Sequence, residues 1–215
     1  MGSRPKKRPG DRSVYAPGRR PRQQGVQAVG VRIIGGRFRG RKLQYSGDPR
    51  TRPMKDRVRE ALFNLLGPSV KGKFVVDLFA GTGAIGLEAL SRGALAAILI
   101  EQHLPTARDI RRSVETLGVA EAVQIVTADA FLWFPRHRPL AAEPWLVFCS
   151  PPYEFYSRRA EAMLDLLGGM IEAAPRESIF SVEADERFDF GRLPYPEAWD
   201  VRAYPPAQIG LYEKD

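Results

Sequence analysis

FVVDLFAGTGAIGLEALSRG, Phe74 to Gly93, decides the fold. FVVDLF is an apolar, β-branched and aromatic run that reads as a buried strand. AGTG reads as a turn, and the residues after it as a helix closing on Gly93. The alternation continues downstream. AAILIE, VQIVTAD, WLVFCS and ESIFSVEA read as strands, while PTARDIRRSVETLG and the stretch from Arg158 to Ala173 read as helices. Strands alternating with helices specify a parallel sheet covered on both faces. WDVRAY and AQIGLYEKD read as two more strands joined near Pro205-Pro206. They predict a terminal antiparallel hairpin on one sheet edge, so the expected class is α/β with a mostly parallel sheet. The Pro-Pro pairs at 151–152 and 205–206 stand in unrelated contexts, and no internal repeat is found.

Gly81, Gly83 and Gly86 form G-x-G-x-x-G between strand and helix. That spacing alone suits a dinucleotide, whose pyrophosphate sits on the helix N-terminus. Asp77, at the end of the strand, argues otherwise. A carboxylate there disfavours a pyrophosphate and favours a cationic ligand, such as the ammonium and sulfonium of S-adenosylmethionine (SAM). The glycines let the backbone approach that ligand. Glu101, closing the second strand, is placed to accept from a ribose diol, and Asp129, after the third, from an adenine amine. Three acids at three strand ends are expected to converge on the mouth of the sheet. Each also has a purely structural reading: Asp77 as a turn cap, Glu101 as an exposed strand terminus, Asp129 as a helix N-cap.

VFCSPPYEFY, Val147 to Tyr156, ends the fourth strand abruptly. Two prolines fix the backbone so that carbonyls face the cleft without competing N–H groups. Tyr153 offers a flat face to an aromatic ligand. Ser150, Pro151, Pro152 and Tyr153 thus read as a slot for a base whose exocyclic amine takes a methyl group; the bland alternative is a strand-to-loop break with Tyr153 packed inside. Strand alternation turns Cys149 away from the side used by Ser150, so it reads as core rather than as a nucleophile.

The charge is uneven. Residues 1–60 carry 18 Lys+Arg against 4 Asp+Glu, the remainder 15 against 21. A basic front on a mildly acidic body suits a polyanionic partner. Residues 1–30, rich in Arg, Lys, Gly and Pro, are expected to be disordered, either as a polyanion-binding or as a solubilising tail. VRIIGGRFRGRKLQY reads as a hairpin around Gly35-Gly36. A helix is expected from about Met54 to Leu66, with Val58, Ala61, Leu62, Leu65 and Leu66 inward and Gly67-Pro68 ending it. Arg37, Arg39, Arg41, Lys42, Arg52, Lys55, Arg57 and Arg59 are the candidate RNA contacts, with Phe38 available to stack a base. About a third of them are expected in ion pairs with the body, and Arg57 with Glu60. The sequence has no run of 18 apolar residues, so no membrane span is expected, and the charged start has no secretory apolar run behind it. One cysteine and two distant histidines predict no disulfide, no zinc site and a reducing, cytoplasmic setting.

With these residues in view, the chain resembles the RsmD family of SAM-dependent methyltransferases. The resemblance runs from about Arg32 to Glu213. It rests on RIIGGRFRGRKL, TRPMKDRVREALFNLL, DLFAGTGAIGLEALSRGA with Glu101, the SPPY tetrapeptide and AQIGLYEK. It implies a Rossmann-like class I methyltransferase domain over 71–215, preceded by an RNA-binding hairpin-and-helix extension over 31–70. It implies methylation of the N2 amine of a guanine in small-subunit rRNA, free or assembled, by a monomer needing no metal or membrane. The target nucleotide would be flipped out. Asp77, Gly81, Gly83, Glu101, Asp129 and Ala130 would contact SAM, and Ser150 to Tyr153 would hold the guanine, with Tyr153 stacked on it. Two positions depart from the family pattern: Ser150, usually Asp or Asn, and Met54, commonly Thr. The alternatives are another base amine (cytosine N4 or adenine N6) in RNA or DNA, a non-catalytic RNA-binding module that retains the fold and, from the glycines alone, a dinucleotide-dependent oxidoreductase.

Overall fold

The computed structural model describes residues 1–2, 30–48, 50–51, 53–137 and 141–215. The tail expected over residues 1–30 thus falls almost wholly outside the described residues, as does Arg52. Among the described residues, seven strands form one sheet: β1 Phe74–Asp77, β2 Ala96–Ile100, β3 Val123–Val126, β4 Trp145–Cys149, β5 Ile179–Asp185, β6 Asp200–Tyr204 and β7 Ala207–Glu213. Their order is β3-β2-β1-β4-β5-β7-β6. The first five pair in parallel, and β7 and β6 add an antiparallel edge, as expected. The helices are α1 Asp56–Leu66, α2 Ala84–Ser91, α3 Leu104–Leu117, α4 Ala130–Trp133, α5 Phe155–Arg158 and α6 Ala160–Ala173.

Strand alternation splits the core in two. Val75, Leu146 and Phe148 pack with side chains of α1, α2 and α3. Val76, Val147 and Cys149 face the opposite way, against α6 and the aromatic residues of α4. Each fully buried Val or Leu contributes about 1.5–3 kcal/mol, so the all-apolar central strands are the main source of stability. The same alternation places Asp77 on the α2 face with Val75, and Ser150 on that face with Phe148.

The hairpin is smaller than expected. One antiparallel bridge joins Arg32 to Lys42, and a short 3-10 turn, Gly36–Phe38, fills its tip. It is riveted to α2 rather than stabilised by itself. Glu88, wholly buried, accepts from the Ile34 N–H at 2.6 Å and the Gly35 N–H at 2.7 Å, and Arg92 Nε lies 2.9 Å away. Ser91 Oγ accepts from the Phe38 N–H and donates to the Gly35 carbonyl. Gly36 has φ +71°, and a Cβ there would lie 2.0 Å from the Ser91 carbonyl oxygen. A Gly36→Ala substitution therefore lowers the unfolding free energy by about 2–4 kcal/mol, from left-handed strain plus overpacking. Denaturant melts check this, and a loss below about 1 kcal/mol would refute the close approach.

α1 begins two residues later than expected, at Asp56, and its inward face is rotated. Val58, Arg59, Leu62, Phe63 and Leu66 are buried, whereas Leu65 is 39% exposed. The cause is Arg59, drawn inward by its partners. Its Nη2 donates to the Arg32 carbonyl at 2.6 Å and meets Asp56 Oδ1 at 3.1 Å, and its Nε lies 3.9 Å from Glu88 Oε2. After Leu66 the chain runs on as a 3-10 turn, Gly67–Val70. The helix expected from Arg158 to Ala173 is broken at Arg159, whose backbone is non-helical (φ −129°, ψ 32°). Its guanidinium lies 3.7 Å from the centre of the Phe131 ring and pairs with Asp129 at 3.0 Å.

Candidate active site

The chain builds β1, β2 and β3 outward in one direction, then crosses back to lay β4 on the other side of β1. Loops leaving β1 and β4 diverge, and a crevice opens beyond their carboxyl ends. A cavity of about 720 Å³ occupies that place, a size suited to a small-molecule site. Its floor includes Leu78, Phe79 and Gly81 after β1, and Ile100 and Glu101 from β2. Asp129 and Ala130 line it after β3, and Ser150 to Phe155 after β4. Thr51, Met54 and Lys55, from the segment leading into α1, line another side.

Of the three acids expected at the mouth, two arrive. Glu101 Oε2 accepts from the Gly81 N–H at 2.9 Å, and Oε1 from the His103 N–H at 2.7 Å. Burial raises its pKa, against the pull of those two N–H groups. Asp129 caps α4 through Oδ1, which accepts from the Phe131 N–H at 2.9 Å, and meets Arg159 through Oδ2. The N-cap reading of Asp129 thus holds alongside its place in the cavity wall. Asp77 and Gly83 do not line the cavity. Asp77 is fully buried beneath the glycine turn, where Oδ2 accepts from the Gly86 N–H at 3.3 Å. Its Oδ1 has no hydrogen-bond partner among the described residues. Burial pushes its pKa up to about 7, with backbone N–H groups opposing and Glu101 adding to the rise. Gly86 serves packing rather than ligand approach: a Cβ there would lie 2.3 Å from Leu99 Cδ2.

The cofactor end fits a SAM-type ligand on its own chemistry. Carboxylates in the wall suit hydroxyl and amino donors, and each retains acceptor capacity beyond the bonds named. Gly81, at φ +53°, forms a cradle that a Cβ would fill, coming within 3.3 Å of Thr51 Cγ2. Phe79, Phe131 and Phe155 form an aromatic cluster with ring centres 5.7–6.1 Å apart. Among the described residues no His, Cys, Asp and Glu gather as a metal centre, and no described helix is long and apolar enough to cross a membrane.

At the other end stands SPPY. Tyr153 is half-buried and lines the cavity, with its hydroxyl 3.1 Å from Glu183 Oε1. Cys149 faces away, wholly buried, and burial raises its thiol pKa far above the ordinary value. The two Pro-Pro pairs, unrelated along the chain, come to one cavity. Pro205 and Pro206, at the tip of the β6–β7 hairpin, line the same cavity as Pro151 and Pro152. Arg57 Nη2 clasps that tip through the Pro205 carbonyl at 2.8 Å.

Residues 31–194 match a family model described as "Conserved hypothetical protein 95". The chain belongs to that family, the RsmD family. Among RsmD-family relatives, the Escherichia coli K12 ribosomal RNA small subunit methyltransferase D is 41% identical over 123 residues, which are 57% of this chain and 60% of that protein. The Haemophilus influenzae protein of the same name is 36% identical over 140 residues, 64% of this chain and 70% of that one. The solved E. coli yhhF structure is 32% identical, with a TM-score of 0.69, covering 86% of this chain and 98% of that one. The Thermus thermophilus 16S rRNA N2 G1207 methyltransferase, solved with AdoMet and guanosine, superposes with a TM-score of 0.59 over 79% of this chain and 45% of that one. At 19% identity that likeness shows the fold.

Two N-terminal stretches of this chain now have physical reasons. RIIGG docks on Glu88 and Ser91, while the Arg59 of TRPMKDRVREAL locks the extension from within. Arg59, expected to touch RNA, is thereby corrected to an interior role: it is fully buried. Arg57 is turned to Pro205, not to Glu60, and Arg41 Nη2 donates to the Thr116 carbonyl at 2.8 Å. Arg37, Arg39, Lys42 and Lys55 keep solvent-facing surface. Arg37 lies over Phe38, which is half-buried against the core, with 4.5 Å between guanidinium and ring centre. Sequence reasoning missed Phe79, Phe155, Arg159 and the 205–207 tip, which carry no local motif, and Glu183, which strand parity with Ser150 could have found.

Proposed function

We propose that this chain transfers a methyl group from SAM to the exocyclic N2 amine of a guanine in small-subunit rRNA. The observation that carries the reading is one continuous cavity with Gly81, Glu101 and Asp129 at one end and Ser150 to Tyr153 at the other. SAM, when bound, supplies a methyl already activated on a sulfonium. Glu101 and Asp129 hold the polar groups of the cofactor, and Ala130 and Gly81 give it close backbone approach. Asp77 and Gly83 act at one remove, by shaping the glycine turn. Ser150 and the Pro151 carbonyl accept from the amine, while the Tyr153 ring stacks on the base. These contacts would place the N2 lone pair in line with the methyl that SAM supplies, and one N2 proton would leave to solvent. Positioning supplies most of the rate.

Relatives named as small-subunit rRNA methyltransferases support this substrate class. Lys55, in the cavity wall, with Arg52 on the sequence pattern, grips phosphates beside the cavity, while Arg37, Arg39 and Lys42, on a hairpin docked at the carboxyl ends of α2 and α3 and so away from the mouth, reach phosphates farther along the RNA. Incubation with labelled SAM and small-subunit rRNA, free or assembled, yields N2-methylguanosine by nucleoside mass spectrometry. Absence of transfer to either substrate overturns the reading. Arg37→Ala/Arg39→Ala lowers the log–log salt slope of RNA binding by about 0.7–0.9 for each phosphate no longer neutralised. An unchanged slope removes those two arginines from the interface.

A further inference from the structure

Ser150 leaves the base slot with a neutral hydroxyl. A carboxylate stands beside it on the next strand. β4 and β5 pair in parallel with Cys149 opposite Val182. One step further along the same register sets Glu183 beside Ser150. Parity agrees: Val182 and Ala184 face the α6 side of the sheet, so Glu183 shares the opposite face with Ser150. Both residues line the cavity, as does Tyr153. The Tyr153 hydroxyl meets Glu183 Oε1 at 3.1 Å, and the Tyr156 hydroxyl donates to the Glu183 carbonyl at 2.8 Å. On its other side β5 pairs with β7, Glu183 opposite Ile209. The carboxylate is thus presented from a central strand by a pinned backbone.

Given the guanine reading above, on which this rests, we infer that Glu183 is a specificity residue of the acceptor slot. Its carboxylate takes the N1–H of guanine and shares with Ser150 the N2–H beside it on the Watson–Crick edge, supplying the charge that Ser150 does not, while the Pro151 carbonyl takes the other N2–H. An ionised carboxylate only accepts, through two oxygens with about four lone-pair sites. Guanine presents two adjacent donors along that edge. Adenine and cytosine pair their amine with a ring nitrogen that is itself an acceptor and faces the carboxylate with repulsion. Glu183 therefore selects guanine and holds the N2 amine in place.

The test uses the full chain and small-subunit rRNA in which the mapped acceptor is guanine or, by splinted ligation, 2-aminopurine. The analogue keeps the N2 amine but has an acceptor at N1. Wild type, Glu183→Gln and Tyr153→Phe are compared in single-turnover methyl transfer, with SAM affinity and melting temperature as fold controls. Wild type favours guanine by about 10- to 100-fold, the worth of a bidentate base contact. Glu183→Gln loses about 10- to 100-fold on guanine and narrows that preference, because its amide can donate to N1 of the analogue. Tyr153→Phe, which keeps the stacking ring, retains the wild-type preference for guanine whatever its rate. Glu183→Asp, which keeps the charge, retains the preference at a lower rate and stands in if Glu183→Gln fails to fold. Equal losses in Tyr153→Phe and Glu183→Gln with an unchanged base preference would reduce Glu183 to a prop for Tyr153 and overturn the inference, as would wild-type behaviour of Glu183→Gln. If wild type modifies neither base, the functional reading itself falls and takes the inference with it.

Discussion

Glu88→Ala lowers the unfolding free energy by about 3–5 kcal/mol, the range for breaking a buried charge pair from one side. Glu88 is wholly buried and gathers two backbone N–H groups, Arg92 at 2.9 Å and Arg59 at 3.9 Å. Its removal leaves the guanidinium of Arg59, which is 0% exposed and whose Nε already has no hydrogen-bond partner among the described residues, with Asp56 as its one remaining carboxylate among them. Burial already lowers the Arg59 pKa, and Asp56 and Glu88 oppose that shift. The loss has a place as well as a size. Hydrogen exchange rises first at Ile34 and Gly35, the amides that Glu88 holds. The wall carrying Thr51, Met54 and Lys55 loosens with them, so the damage reaches the cavity from a residue outside its lining. A loss below about 1 kcal/mol, or exchange that rises evenly across the sheet, would refute this account.

The second large effect is a pH dependence centred on Asp77. Its pKa in the folded protein is about 7, against an ordinary 3.8, chiefly because it is buried. Between about pH 4 and 7 the folded state therefore keeps a proton that the unfolded chain has released. Stability falls as pH rises through that window, by up to about 4 kcal/mol for a shift of this size. It levels off above pH 7. Asp77→Asn has no such group, so the variant's stability relative to wild type rises by about that amount from pH 4 to pH 8. Denaturant melts along the pH series measure it, and other titrating groups cancel in the difference. A flat difference profile would mean that Asp77 stays ionised throughout and that its burial is compensated by charge or water. Because Asp77 holds the Gly86 N–H, the same variant weakens SAM binding only through the turn, by less than the loss on changing Glu101, which lines the cavity.

Much of this was legible along the chain because it depends on local periodicity. The apolar strand runs, the glycine turn and the terminal hairpin follow from spacing and turn chemistry, and the sheet matches them strand by strand. Glu101, Asp129 and SPPY were legible for a related reason. Parallel strands deliver the residues just past their carboxyl ends to one mouth, so position along the strand predicts position in space.

What the linear pattern could not supply was partnership between distant side chains. Arg59 reads as one more cation on a basic helix, yet Glu88 on another helix turns it inward and rotates the whole helix about its axis. Asp77 reads as a wall residue, yet parity and the close packing of α2 put it beneath the turn. Pro205-Pro206 reads as a bend, yet antiparallel addition at the sheet edge brings it to the cavity that the other Pro-Pro pair lines. Sequence by itself determined which strands of the sheet form and in what order along the chain, because hydrogen-bond periodicity and burial act between near neighbours. Only the tertiary structure decided which charged groups face solvent, because a buried ion is tolerated only where a partner from elsewhere in the chain meets it.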